Sequence, residues 1–204
     1  MKNIKVSKTF AALIIIIVAS VFLLPNLISS VKLYFLDKDY NEQATNYKAD
    51  IAARADKINQ SLSQLRIKDS NLYRCIESEV SRYKDIPSTS SGAINSVVEL
   101  RSLPCSGQKI ATLEGIQDLY NLESIDLRNN KITDISYLTE LHSLKTLYIN
   151  GNTLVDNRVI LNIPSLEKAS LPDFSKMMCA DILDLINSAK FRIINRKQYP
   201  FDCI

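Results

Sequence analysis

One register constrains this chain more than any other feature: between Leu100 and Leu171, apolar residues recur every 22 positions. Leu100, Leu122, Leu144 and Leu166 open four units. Leu103, Ile125, Leu147 and Ala169 hold the fourth position of each unit, and Cys105, Leu127, Ile149 and Leu171 the sixth. Ile110, Ile132 and Leu154 follow at the eleventh position, and Ile116, Leu138 and Ile160 at the seventeenth. A fixed period with apolar residues at fixed phases predicts a stacked solenoid, in which each unit buries its face only against its neighbours. Within the units, "SIDL" and "TLYI" alternate polar and apolar residues, the period of a half-buried strand. Ser124, Asp126 and Arg128, then Thr146, Tyr148 and Asn150, are therefore expected to point outward, with Lys168 in the last such column.

The units "LESIDLRNNKITDISYLTELHS" (122–143) and "LKTLYINGNTLVDNRVILNIPS" (144–165) carry the pattern Leu-x-x-Leu-x-Leu-x-x-Asn-x-Ile or close variants of it. That pattern resembles the leucine-rich repeat, and the repeat length and the phrase "NKITDIS" look like its internalin-like bacterial subclass. The first unit is less regular, with Gln108 where the family has Asn, and the fourth fades after Leu171. The resemblance implies an α/β fold: a short solenoid of about four parallel strands over 100–173, with an N-terminal cap at 70–99 and a C-terminal cap at 174–204. It implies little about a partner, because function lives in the site and not in the fold. Asn130 and Asn152 fall where the chain leaves each strand, and there an amide side chain satisfies backbone groups that neighbouring turns leave open. Asn150-Gly151 ordinarily signals a hairpin, but the register assigns it to a strand-to-turn corner. Pro104 falls in the first strand of the array and Pro172 just after the last, as expected of a four-strand sheet with blunted edges.

Cys75, Cys105, Cys179 and Cys203 sit at the two ends of the array and permit three pairings. In bacterial leucine-rich repeat proteins a cysteine-bearing helix precedes a first strand whose own cysteine holds the sixth repeat position. "NLYRCIESEV" followed by "LRSLPCSGQKI" matches that arrangement. Cys75–Cys105 and Cys179–Cys203 are the expected bridges, each closing one cap. Loops of this size stabilise by roughly 3–4 kcal/mol in the chain-entropy model, and disulfides imply an oxidising compartment.

The chain begins with three lysines, Lys2, Lys5 and Lys8, and then runs from Thr9 to Val31 without a charge. This is either an uncleaved transmembrane anchor, read over 9–36, or a secretory signal peptide. Ile28-Ser29-Ser30 makes a poor cleavage site, which favours the anchor. Either way the lysine-bearing tail, residues 1–8, stays cytoplasmic and the repeats face outward. In a bacterium with two membranes that means an inner-membrane protein with periplasmic repeats, or a secreted one if the segment is removed. The bilayer is thus an expected partner of residues 9–36.

Between anchor and repeats, Ile51, Ala55, Ile58, Leu62 and Leu65 recur at alternating spacings of four and three, one face of a helix. A long helix is expected near 40–67, within a stalk at 37–69, with a break at Asp69-Ser70-Asn71 where Ser70 caps a second helix near 71–84. The first helix is either a coiled-coil stalk that pairs with itself or a partner, or an amphipathic element lying on the domain. Beyond Leu171, Met178, Ile182, Leu185, Ile186 and Ala189 form a helical stripe, and "FRII" (191–194) a final short strand.

No catalytic constellation is legible. The single histidine, His142, sits in a turn, and the four glycines form no phosphate-binding loop. The absence of Cys-x-x-Cys excludes a zinc site of ordinary spacing, and no cofactor is expected. The three N-terminal lysines account for the whole net charge of +3; a body balanced to zero argues against nucleic acid as a partner. What remains is the exposed sheet face, where Tyr148 and Arg128 are the residue types that most often anchor protein interfaces. The expected function is non-enzymatic protein binding, as an accessory or adaptor subunit of a cell-envelope complex. The alternatives are an exported internalin-like adhesin engaging a host protein, or a protective or sensor protein binding a peptide or toxin.

Overall fold

Each 22-residue unit is too small to enclose a core, so its apolar phases must meet those of the next unit. In the structure, a computed structural model that describes residues 8–172, 178–188 and 190–194, they do. The chain divides into two units, Met1–Ala49 and Asp50–Ile204.

In the second unit four strands stack in register: β1 (Ser102–Pro104), β2 (Ser124–Asp126), β3 (Thr146–Tyr148) and β4 (Lys168–Ser170). All pair in parallel, Leu103 beside Ile125, Ile125 beside Leu147, and Leu147 beside Ala169. These residues are fully buried, as are the unit-opening leucines Leu122 and Leu144. The opposite side of each turn is a 3₁₀ segment, Ile116–Asp118, Ser136–Glu140 and Asn157–Asn162, whose Ile116, Leu138 and Ile160 close the core. Asn130 Oδ1 accepts from the Ile110 N–H at 3.0 Å, while its Nδ2 donates to the carbonyls of Cys105 (2.9 Å) and Leu127 (2.8 Å). Asn152 repeats the set one turn on, with Ile132 (3.0 Å), Leu127 (2.8 Å) and Ile149 (2.8 Å). The two amides therefore share the Leu127 carbonyl and lock successive corners together.

The sheet has a fifth strand. After α3 (Cys179–Asn187), β5 (Arg192–Ile193) pairs in parallel with β4, its backbone bonding at Arg192 N to Glu167 O (2.8 Å) and Ile194 N to Ala169 O (2.8 Å). Pro172 lies two residues past β4 and leaves that edge open, so it does not end the sheet as a four-strand reading requires. In α3, Ile182 and Leu185 are buried; Met178 lies just before the helix and is 70% exposed, outside the expected stripe. Ala189 and the side chain of Ile186 lie outside the described residues.

At the other end, α2 (Ser70–Lys84) buries Leu72, Cys75, Ile76 and Val80 against β1. Its N-cap is Asp69, not Ser70: Asp69 Oδ1 accepts from the N–H groups of Asn71 (2.8 Å) and Leu72 (3.0 Å). Oδ2 reaches into the first repeat and accepts from Ala111 (2.8 Å) and Thr112 (3.3 Å). Cys75 and Cys105 are joined by a disulfide. Cys179 is also disulfide-bonded; its expected partner, Cys203, lies outside the described residues.

The helix α1 (Lys8–Ser63) ends earlier than expected and is not a free stalk to its end. Ile58 and Leu62 are buried in the repeat core, and Arg54 is buried with Nη2 donating to the Ile94 carbonyl at 2.6 Å. Of the two readings of this helix, the amphipathic one describes residues 50–63, where Ile58 and Leu62 are taken up by the core and not by a coiled-coil partner. The connector that follows is pinned where Gly115, at φ +95°, leaves room for the Arg66 carbonyl: a Cβ there would lie 2.4 Å from that oxygen.

The backbone is helical across the apolar segment, but the side chains of residues 9–31 lie outside the described ones. Among the described residues, no helix is long and apolar enough to cross a membrane.

Candidate functional site

Parallel register places residues of equal phase side by side, so the outward side chains form columns. One column runs Ser102, Ser124, Thr146, Lys168 and Arg192; the next runs Pro104, Asp126, Tyr148 and Ser170. Arg128 and Asn150 stand just beyond the strand ends. Five strands about 4.8 Å apart make this face about 19 Å across.

Within it Asp126, Arg128 and Tyr148 form one cluster. Arg128 Nε and Nη2 donate to the two Asp126 carboxylate oxygens at 2.9 and 2.6 Å, and the Arg128 backbone N–H adds a third bond at 3.1 Å. This fork holds the Asp126 carboxyl below its ordinary pKa and raises that of the guanidinium. The Arg128 guanidinium carbon lies 5.3 Å from the centroid of the Tyr148 ring, within cation–π range. A bidentate fork leaves the guanidinium little rotational freedom, so an aromatic ring and a planar cation sit pre-arranged on the exposed face.

The other expected residues divide. Ser124 and Thr146 are half-buried beside the cluster, and Lys168 is exposed. Asn150 is engaged inside the fold, accepting from Ser170 Oγ. Ser170, which shares the phase of Asp126 and Tyr148, is only 3% exposed; besides donating to Asn150, it accepts from the Ile149 N–H at 3.2 Å. The register also carried a signal left unread. The second position of each unit is Arg101, Glu123, Lys145 and Glu167, alternating in charge. Glu123 bonds Arg101 and lies 3.6 Å from Lys145, and these cations hold its carboxyl below its ordinary pKa. Among the described residues, Lys168 and Arg192 are adjacent in one column and neither is in an ion pair.

Two cavities of about 400 Å³ lie off the sheet face, one beside the Cys75–Cys105 bridge and lined by Arg74, Glu79 and Lys109, the other beneath Tyr83 and Ile94. Among the described residues no group of three or more His, Cys, Asp or Glu is placed to hold a metal ion.

Residues 120–157 match the family "Leucine Rich repeats (2 copies)". No curated protein matches the chain. Among solved structures it is similar to an internalin, InlF, from Listeria monocytogenes str. 4b F2365, with 29% identity and a TM-score of 0.44 over 55% of this chain and 33% of that one. It is also similar to internalin C2 from the same strain, at 24% identity and a TM-score of 0.42, over 51% and 45%. A third likeness is to the functional domain of InlJ from Listeria monocytogenes, described as including a cysteine ladder, at 19% identity and a TM-score of 0.41, over 55% and 24%. The match thus spans less than half the length of each of these chains.

Proposed function

We propose that this leucine-rich repeat is a non-enzymatic protein-binding module, held at the inner membrane by residues 9–36 with its repeats in the periplasm. In that position it serves as an accessory or adaptor subunit of an envelope complex. The observation that carries the binding reading is the Asp126–Arg128–Tyr148 cluster. Fixing a cation and an aromatic ring before contact lowers the ordering cost of association, and Tyr and Arg dominate interface energetics. The free cations Lys168 and Arg192 indicate a partner that sets an apolar or aromatic group on Tyr148 and an acidic group beside them. The anchor reading rests on the uncharged run from Thr9 to Val31 behind three lysines.

The face offers about a dozen side chains, whereas a standard interface uses about 20–30 residues per side. Affinity from the sheet alone is therefore modest, and confinement to the membrane supplies the effective concentration that completes it.

The test places a photo-crosslinking amino acid at Thr146, on the sheet face, and separately at Thr139, on the opposite side, in the full chain in native membranes. A discrete adduct from Thr146 and none from Thr139 is expected. The double variant Arg128→Ala/Tyr148→Ala should abolish that adduct while changing unfolding stability by no more than ordinary surface changes do, about 0.5 kcal/mol. An adduct that survives the double variant removes the sheet face as the site. Intact mass decides the placement: a chain lacking about its first 30 residues, the size of a signal peptide, makes this an exported protein and transfers the binding reading to the adhesin or toxin-binding alternatives.

A further inference from the structure

Along the N-terminal part of α1, Leu36, Tyr40, Ala44 and Tyr47 recur at spacings of four, four and three. At 3.6 residues per turn these fall on one face. That face is bare: Leu36 is 56% exposed, Tyr40 71% and Tyr47 50%. In sequence the same spacing runs on through Ile51, Ala55, Ile58 and Leu62, and there Ile58 and Leu62 are buried in the repeat core. One stripe, with one period, is thus covered over its second half and uncovered over its first.

We propose that the cover of the first half is a second copy of this chain, its residues 36–47 packed in parallel along the same segment. Three features of the segment select that occupant. The spacing of four, four and three sums to an 11-residue repeat, about 3.67 residues per turn, which lets two nearly straight helices keep their stripes in contact. A stripe of one kind is self-complementary about a two-fold axis. The flanks disfavour a lipid surface, since residues 37–50 hold four acids, Asp37, Asp39, Glu42 and Asp50, against two lysines, Lys38 and Lys48, whereas helices that lie on membranes are rich in basic residues. The segment is short, so the pairing leans on the anchor reading in one respect: anchored copies are parallel and locally concentrated.

Single cysteines at Tyr40, Ala44 and Tyr47, on the stripe, and at Glu42 and Ala49, on the far side of the helix, test this in the full chain in membranes. After mild oxidation, non-reducing electrophoresis should show a species of twice the chain mass, about tenfold stronger for the three stripe positions than for the two others, as expected for a defined seam. Equal crosslinking at all five positions, crosslinking at none, or a product of any other mass overturns the proposal. Carbonate extraction run in parallel reads the anchor separately: a chain released from membranes that still crosslinks with stripe periodicity sinks the anchor and keeps the pairing.

Discussion

The interior corners of the repeat array and its N-terminal corner occupy the same repeat phase, yet different chemistry holds them. At Asn130 and Asn152 an amide bridges two consecutive turns. At the equivalent Gln108 no earlier turn exists, and its Nε2 reaches only its own loop, at Ser106 O, 3.4 Å away. The work of that corner passes to the cap: the Cys75–Cys105 bridge ties it to α2, and Asp69 supplies acceptors to Ala111 and Thr112. The comparison teaches that the asparagine belongs to the junction between two repeats, not to the repeat itself, so a terminal unit has no use for one.

The largest effect that would break this account lies in the interior. Asn130→Ala strands the Ile110 N–H and the Cys105 carbonyl oxygen in the core, while Leu127 O keeps its bond from Asn152, and each buried unmet group costs about 1–3 kcal/mol. A loss of about 3 kcal/mol or more is expected in denaturant unfolding, with Asn152→Ala close behind. A loss below about 1 kcal/mol, the size of one ordinary net hydrogen bond, would show that the corners do not depend on the amides.

Next comes the cap. Replacing Cys75 and Cys105 together by Ser opens a loop of 30 residues' separation, and a cost of about 3 kcal/mol is expected. If the reduced cap frays on its own, hydrogen exchange should rise in α2 and β1 while β3 stays protected, as the nearest-neighbour character of a solenoid requires. Uniform loss of protection would instead make the array one cooperative unit.

Asp69 follows, with a pH signature. Partial burial raises its pKa, but the backbone donors Ala111, Leu72, Thr112 and Asn71 outweigh that and leave the carboxyl below its ordinary value. A depressed folded pKa means the stabilisation is fully present above the unfolded value, about 3.9, and is lost as pH falls through the folded one. Asp69→Asn should cost about 2 kcal/mol at neutral pH. The gap to the parent should close in thermal melts taken below about pH 4. A gap that stays constant with pH would assign the effect to shape and not to charge.

Much of this was legible from one period. The register gave the columns, the buried faces, the amides at the corners and the adjacency of Asp126 and Arg128, because equal phase in a solenoid means equal environment. Departures lie where that equality fails. Ser170 keeps the outward phase of Tyr148 yet is buried, its hydroxyl accepting from Ile149 and donating to Asn150. The docking of α1 was ambiguous because an apolar stripe does not say what covers it; Ile58 and Leu62 fit a coiled coil as well as a repeat core. Asp69 was passed over in favour of Ser70 because a cap read from sequence counts only donors on its own helix. Asn71 and Leu72 bond Asp69 on its own helix, and its further donors, Ala111 and Thr112, lie some 40 residues away, with separations of 42 and 43.

The smallest expected effect is the sharpest. Gln108→Asn places at the first corner the residue type that Asn130 and Asn152 hold at theirs, and a reading by repeat consensus predicts a gain. The geometry predicts none. An asparagine at 108 is shorter than the exposed glutamine it replaces, and the carbonyls that Asn130 uses belong to Cys105 of the preceding turn and to its own Leu127. At 108 the preceding turn is replaced by α2, whose carbonyls are committed within the helix. The change in stability should therefore stay within about 0.5 kcal/mol, the range of surface substitutions. A gain of about 1 kcal/mol, one net hydrogen bond, would mean that the cap presents a repeat-like acceptor after all, and that the two corners differ in sequence but not in kind.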